Sequence, residues 1–308
     1  MITAIAILGP TGSGKSRLGM ALAQRAGGEI LSIDSRQAYR GLDIGTAKPT
    51  PDERRTVPHH LIDILDLDEK SNAESFARLA HAAIRAVASR GRTPLLVGGS
   101  GFYFRAIEEG LFTIELDPAQ RISLAESLRG VPTEILHARL ADADVESALR
   151  IHRNDRYRIV RALEVVTLTG KSLSAHLREQ GADRRRHDIR FIKLGLRLQR
   201  SSLHDRIGRR TRGMFERGWT REVQNLLAGG ATPNQPGMRT LGYPQIVAHV
   251  RGEITFDETV RRVLELTRQY AKRQVTWFKK ERQMHWLEAD SPALLDSADE
   301  LLSSLGSG

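Results

Sequence analysis

Cysteine is absent from the 308 residues of this chain, which removes disulfides, thiolate zinc sites, iron–sulfur clusters and cysteine nucleophiles in one step. The ten histidines never recur at H-x-x-x-H spacing, so a helical histidine zinc site is not expected either. Any metal is then expected to be a hard, oxygen-bound ion such as Mg²⁺. No run of eighteen apolar residues occurs, and no charged, apolar, small-residue leader follows Met1. Both absences predict a cytoplasmic protein with neither membrane span nor secretory signal. Length imposes no such limit: 308 residues can bury one large core or two modest ones without covalent staples.

What is abundant is arginine. The chain carries 47 Lys and Arg against 37 Asp and Glu, a net charge of +10, and 39 of the cations are Arg, whose planar fork suits phosphate. The excess is uneven: residues 1–116 carry +1, residues 117–188 carry +2 and residues 189–308 carry +7. Between Arg190 and Trp286 there are 20 cations against 8 acids. A polyphosphate partner and a merely solvated basic surface both account for this balance.

Apolar patterning supplies the organisation. The run at residues 2–8 (ITAIAIL) leads through GPTGSGKS into a helix-compatible stretch, a strand–turn–helix reading. A second short apolar run at residues 29–34, an amphipathic helix at 75–90 and a buried-strand pattern at 94–97 repeat the alternation, which predicts a parallel sheet covered on both faces. Residues 117–169 contain three helix-like segments broken at Gly130, Pro132 and Gly170, and no convincing strand. Residues 117–188 therefore read as a helical insertion between two parts of a core, residues 1–116 and 189–308. Arg184 to Arg186 form a polar link into a returning strand at 191–198, and a long helix is expected from about Asp257 to Glu281. Beyond Trp286 the sequence offers little to read.

Gly9, Pro10, Thr11, Gly12, Ser13, Gly14, Lys15 and Ser16 match G-x-x-x-x-G-K-[ST] in the strand-before, helix-after context the motif requires. Glycines let backbone N–H groups approach phosphate oxygens, the helix N-terminus adds positive potential, Lys15 neutralises a terminal phosphate, and the Ser16 hydroxyl can hold Mg²⁺. The motif specifies a polyphosphate without saying which. Asp34, closing the second strand, suits a Mg²⁺ partner, a general base or a turn-capping residue, and its position alone does not separate these. Arg261, Arg268, Lys272 and Lys279 fall near one stripe of the late helix, which suits an RNA backbone or plain solvent. Trp277 and Phe278 read as core, and His59 and His60 as structural residues.

Further segments extend the pattern: DSRQ at 34–37, GLDIGTAKP at 41–49, HHLID at 59–63, GGSGFY at 98–103, RIHRND at 150–155, RALEV at 161–165, LGY at 241–243 and RQVTW at 273–277. In that order, across nearly the whole chain, they resemble the tRNA dimethylallyltransferase family. The resemblance implies transfer of a dimethylallyl group from dimethylallyl diphosphate to N6 of the adenosine immediately 3′ of the anticodon, with Mg²⁺. It implies an α/β fold, a P-loop kinase-like parallel sheet core with an inserted all-helical domain. The partners expected are a tRNA anticodon stem-loop and dimethylallyl diphosphate, acting on a monomer.

Residue by residue, the resemblance places the diphosphate on Gly9 to Ser16, with Arg210 reaching it. It places Asp34 against the adenine as catalytic carboxylate, with Ser35, Arg36 and Gln37 on the RNA and Ser100 and Arg121 near the reacting base. Tyr157, Arg158, Ile159, Val160 and Arg161 match a stretch that grips RNA. So do Arg239, Thr240, Leu241, Gly242 and Tyr243, and so do Lys272, Arg273, Gln274, Val275, Thr276, Trp277, Phe278 and Lys279. The chain departs from the family pattern at Ser100, where Thr is usual, at Arg153 and Arg156, where Pro is usual, and at Pro244, where a basic residue is common. A P-loop kinase or NTPase acting on a nucleotide or RNA, and a nucleotide-gated RNA-binding module, are the alternative functions.

Overall fold

The branched, apolar run at the N-terminus is extended as β1 (Ile2–Leu8), with its last five residues buried, in a computed structural model that describes residues 1–111, 114, 116–181 and 188–306. The turn at residues 9–14 leads into α1 (Lys15–Arg25), and β2 (Glu29–Ile33) follows, buried throughout. After a long loop come α2 (Pro51–Thr56), the two-residue β3 (His59–His60), α3 (Ala73–Ser89), β4 (Pro94–Gly98) and α4 (Gly101–Glu109). The chain returns at β5 (Ile189–Arg197), continues through α10 (Arg200–Glu216), α11 (Trp219–Ala228), α12 (Tyr243–Val250) and α13 (Phe256–Phe278), and ends in β6 (Met284–Glu288) and α14 (Leu294–Gly306).

All six strands are parallel in the order β3-β2-β4-β1-β5-β6, so the α/β parallel-sheet expectation holds. Near-continuous burial of β1, β2 and β4 is what a sheet covered on both faces demands. Ile5, Ile7, Leu95, Val97, Ile192 and Leu194 pack with Leu18 and Leu22 of α1. The tail is structured: β6 extends the sheet, and Leu294 and Ala298 of α14 join this core. A five-residue edge strand with partly exposed residues carries too weak an alternation to stand out in sequence.

The chain divides into two compact units, residues 1–108 with 188–308, and residues 109–187. Within the second, α5 (Pro118–Ser127), α6 (Thr133–Ala143), α7 (Val145–Arg150), α8 (Arg156–Thr169) and α9 (Leu173–Gly181) enclose Leu128, Leu136, Leu140, Ile159 and Ala162. Residues 117–169 thus hold four helices where three were expected. The extra break is made by buried Asp144, whose carboxylate accepts from the Ser147 amide at 3.0 Å, the Ser147 hydroxyl at 2.7 Å and the Ser174 amide at 2.9 Å. One carboxylate therefore separates α6 from α7 and anchors α9, a tertiary use that sequence periodicity does not reveal. The Arg184 to Arg186 link lies outside the described residues.

Candidate functional site

The phosphate-loop sequence closes into a loop because glycine supplies the backbone it needs. Gly12 and Gly14 have φ of 83° and 90°, and the Ser13 amide donates to the Pro10 carbonyl at 3.1 Å. The loop hands over to α1 at Lys15, whose ammonium donates to the Pro10 carbonyl at 3.2 Å, while Ser16 is exposed at the first turn. Helices from the distant second half of the core hold this loop. On α13, the buried Gln274 accepts from the Thr11 amide at 2.8 Å and donates to the Gly99 carbonyl at 2.8 Å, tying the loop to the end of β4. On α10, the Arg210 guanidinium donates to the Thr11 hydroxyl.

Burial pushes the Lys15 ammonium down to about 8, with the Arg210 cation adding to the effect and the Asp34 carboxylate opposing it. Burial likewise lowers Arg210, again opposed by Asp34. Two enclosed cations therefore share one carboxylate, an excess of positive charge that favours an incoming polyanion. Asp34 follows β2, and its Oδ1 accepts from the Arg36 amide at 2.9 Å, which orients the carboxylate. A cavity of about 70 Å³ opens beside these groups. Thr11, Asp34, Arg36, Thr46, Arg210 and Tyr270 line its polar side, and Ile207, Met214, Trp219 and Leu241 its apolar side.

The structure brings Thr11, Lys15, Asp34, Arg36 and Arg210 together, and Ser100 stands close by, its hydroxyl 3.5 Å from the Ser35 amide. Gln37 faces inward: its carbonyl accepts from the Ser32 hydroxyl at 2.7 Å, and its amide donates to the carbonyls of Thr46 at 3.3 Å and Ala47 at 3.0 Å. That side chain shapes the loop that carries Thr46. Thr240 is buried with its hydroxyl unpartnered among the described residues, and Leu241 beside it lines the cavity. Arg239 is exposed, Gly242 and Tyr243 are buried, and the Tyr243 hydroxyl donates to Glu222 at 2.6 Å.

Along α13, Lys272, Arg273, Thr276 and Lys279 are exposed, whereas Gln274 and Phe278 are buried and Val275 and Trp277 half-buried. Arg268, Lys272 and Lys279 border one groove with Arg200, above Leu196, Leu203 and Phe278. Arg261, the remaining member of the stripe, is committed to Glu258 and Glu265, each at 2.7 Å. In the second unit, Tyr157 is 82% exposed and Ile159 is buried, with Val160 half-buried. Arg158 pairs with Asp155, and Arg121 and Arg161 reach Glu164 at 3.4 and 2.9 Å. Arg156, standing where proline is usual, donates to the carbonyls of Leu128 and Val131 at 2.6 Å and of Arg129 at 2.8 Å, and so closes the end of α5.

Sequence reasoning missed Tyr270, Met214 and Trp219. Burial and the nearby Asp34 charge push the Tyr270 phenol up to about 12, so it stays a neutral hydrogen-bonding group at working pH. A signal for Tyr270 existed: it lies four residues before Gln274 and so on the same helix face. Gln274→Leu is expected to weaken polyphosphate binding at the loop about tenfold by freeing the Thr11 amide from its anchor, as read by titration with inorganic diphosphate.

The family profile described as IPP transferase matches residues 37–281. The chain is 46% identical over 288 residues to tRNA dimethylallyltransferase 2 of Geotalea uraniireducens, covering 93% of this chain and 92% of that relative. It is 43% identical over 294 residues to the tRNA dimethylallyltransferase of Geobacter sulfurreducens, covering 95% and 93%. The solved tRNA isopentenylpyrophosphate transferase of Bacillus halodurans superposes with a TM-score of 0.73 at 33% identity, over 99% of this chain and 96% of that one. A eukaryotic dimethylallyltransferase acting on tRNA gives 0.81 at 27% identity, over 98% and 78%. A phosphate loop on a parallel sheet, and sequence kinship that runs nearly from end to end, agree on one conclusion: the chain belongs to the IPP transferase family, among the tRNA dimethylallyltransferases.

Proposed function

We propose that this protein transfers the dimethylallyl group of dimethylallyl diphosphate to N6 of the adenosine immediately 3′ of the anticodon in tRNA. The observation that carries the reading is the chamber in which Asp34 faces Arg210 and Thr11 across about 70 Å³, alongside Lys15 of the phosphate loop. The diphosphate takes the loop, where the amides of the first turn of α1, Lys15 and Arg210 meet its charge. N6 attacks C1 of the allyl chain, the C1–N6 bond forms as the C1–O bond breaks, and the diphosphate leaves with the electron pair. Asp34 accepts the N6 proton. An exocyclic amine conjugated with adenine is a weak nucleophile, and a placed general base accelerates such a step by roughly 10²- to 10⁴-fold. Positive charge at Lys15 and Arg210 counts most in the transition state, where the leaving oxygen gains charge.

The donor set fits a Mg²⁺ that arrives with the diphosphate. Ser16 offers one exposed hydroxyl at the loop, and no cluster of three or more His, Asp or Glu suited to a metal occurs among the described residues. Bound there, the ion would neutralise charge on the leaving diphosphate.

For the RNA, we assign Arg36 of the chamber lining, the exposed Arg239, the exposed face of α13, and Tyr157, Arg158, Arg161 and Arg121 on the helical unit. That unit serves as an inserted RNA-gripping domain. No helix among the described residues is long and apolar enough to cross a membrane.

Mass spectrometry of tRNA nucleosides after incubation with dimethylallyl diphosphate and Mg²⁺ tests the reading. Dimethylallyladenosine is the expected product. Phosphate release from ATP in step with RNA, and no alkylated nucleoside, would favour a kinase or NTPase, and RNA retained unaltered a binding module. RNA affinity should fall with salt, each neutralised phosphate adding roughly −0.7 to −0.9 to the slope of log K against log salt. The double variant Arg268→Ala, Lys272→Ala is expected to flatten that slope, and an unchanged slope would return this stripe to the solvent.

A further inference from the structure

The apolar side of the chamber is built more rigidly than a solvent-facing wall requires. Trp219, the first residue of α11, is 1% exposed and wedged between Gly45 and Gly242, where a Cβ on either glycine would overlap the indole. Phe215 and Tyr243 pack on the same ring at centroid distances of 5.3 and 5.6 Å. Glu222, one helical turn further on, locks the facing loop. Its Oε2 accepts the amides of Asp43 at 2.9 Å and Ile44 at 2.7 Å, and its Oε1 accepts the Gly45 amide at 3.3 Å and the Tyr243 hydroxyl at 2.6 Å. Four donors on one carboxylate fix the loop, and with it the indole trapped against Gly45. Met214, 5% exposed on α10, completes the wall.

We infer that Met214 and Trp219 set the length of the chain that can be transferred, admitting a five-carbon allyl group and excluding a ten-carbon one. The inference rests on the alkyl-transfer reading and follows from where the other parts of the substrates must lie. The diphosphate occupies the loop beside Thr11 and Arg210, and the reacting nitrogen lies at Asp34, so C1 sits between them. The remaining carbons would extend along the apolar part of the lining, formed by Ile207, Met214, Trp219 and Leu241. Met214 and Trp219 are closely packed, buried side chains of that lining, so a second isoprene unit directed toward them would have to displace Met214 or the indole. The glycine wedge and the Glu222 lock resist that displacement.

The test offers the anticodon stem-loop equal amounts of dimethylallyl and geranyl diphosphate and resolves the products by mass spectrometry. The parent is expected to give the dimethylallyl product. Met214→Ala and Trp219→Leu should each raise the geranyl-to-dimethylallyl ratio of kcat/KM about tenfold or more, the scale on which a pocket discriminates by methylene groups. Because Trp219→Leu removes a wedge and can lose the fold, Met214→Ala carries the decision, together with a second measurement. Geranyl diphosphate should inhibit dimethylallyl transfer more strongly in Met214→Ala than in the parent. An unmoved product ratio with an unmoved inhibition constant in folded Met214→Ala overturns the inference. Absence of dimethylallyl product from the parent overturns the alkyl-transfer reading and this inference with it, whereas product with an unmoved ratio sinks the inference alone.

Discussion

Asp34→Asn is expected to slow single-turnover transfer by roughly 10²-fold or more while leaving RNA and diphosphate binding close to those of the parent. The Arg36 amide donates to Oδ1 of Asp34, and an asparagine carbonyl can keep that bond, so the turn after β2 should survive. What asparagine cannot do is take the proton from N6. Were Asp34 chiefly a partner of Mg²⁺, the loss would appear in metal-dependent diphosphate affinity, and added Mg²⁺ would restore activity. Were it only a cap, the variant would be nearly silent, because Asn caps about as well as Asp. Rates at saturating RNA and diphosphate, taken across a Mg²⁺ series, separate these outcomes, and rescue by Mg²⁺ or an undiminished rate removes the general base.

Lys15→Ala should lower kcat/KM for dimethylallyl diphosphate by roughly 10²- to 10³-fold, the scale on which one charge-stabilising donor acts in an enclosed site. Arg210 remains in the variant but is engaged by Thr11, and it does not reproduce a mobile ammonium inside the loop. The parent should also show a characteristic pH dependence. With the Lys15 ammonium held down to about 8, the free enzyme loses this charge as pH rises through that value, so kcat/KM for the diphosphate falls on the alkaline side. Bound diphosphate favours the protonated amine, so kcat should persist to higher pH than kcat/KM. In Lys15→Ala the alkaline limb near pH 8 should vanish. Near-normal turnover by this variant, or a limb that stays in place, takes Lys15 out of the chemistry.

The phosphate loop and the first strands were legible because their information is contiguous. Eight successive residues need two left-handed glycines and a helix start, and short runs of buried branched residues read as parallel strands. Asp34 was legible as a carboxylate at a strand end, but its three possible roles stayed open because charge environment, and not position, distinguishes them. Arg156 read only as a departure from the family pattern, and the folded helical unit shows its guanidinium donating to the three carbonyls of Leu128, Arg129 and Val131 that follow α5.

What the sequence by itself determined, then, is the glycine turn between β1 and α1, the parallel core and, through an ordered series of motifs, the family. The tertiary structure decided which side chains line the chamber beside Asp34. Thr11 and Gln274 are 263 positions apart, and no local rule brings them together. α10 and α13 do so by folding over the loop, and that same closure enrols Tyr270, Met214 and Trp219 as the chamber wall. Closure also supplies the burial that lowers Lys15 and Arg210 and raises Tyr270, since desolvation acts on whatever the fold encloses and leaves no mark on the order of residues.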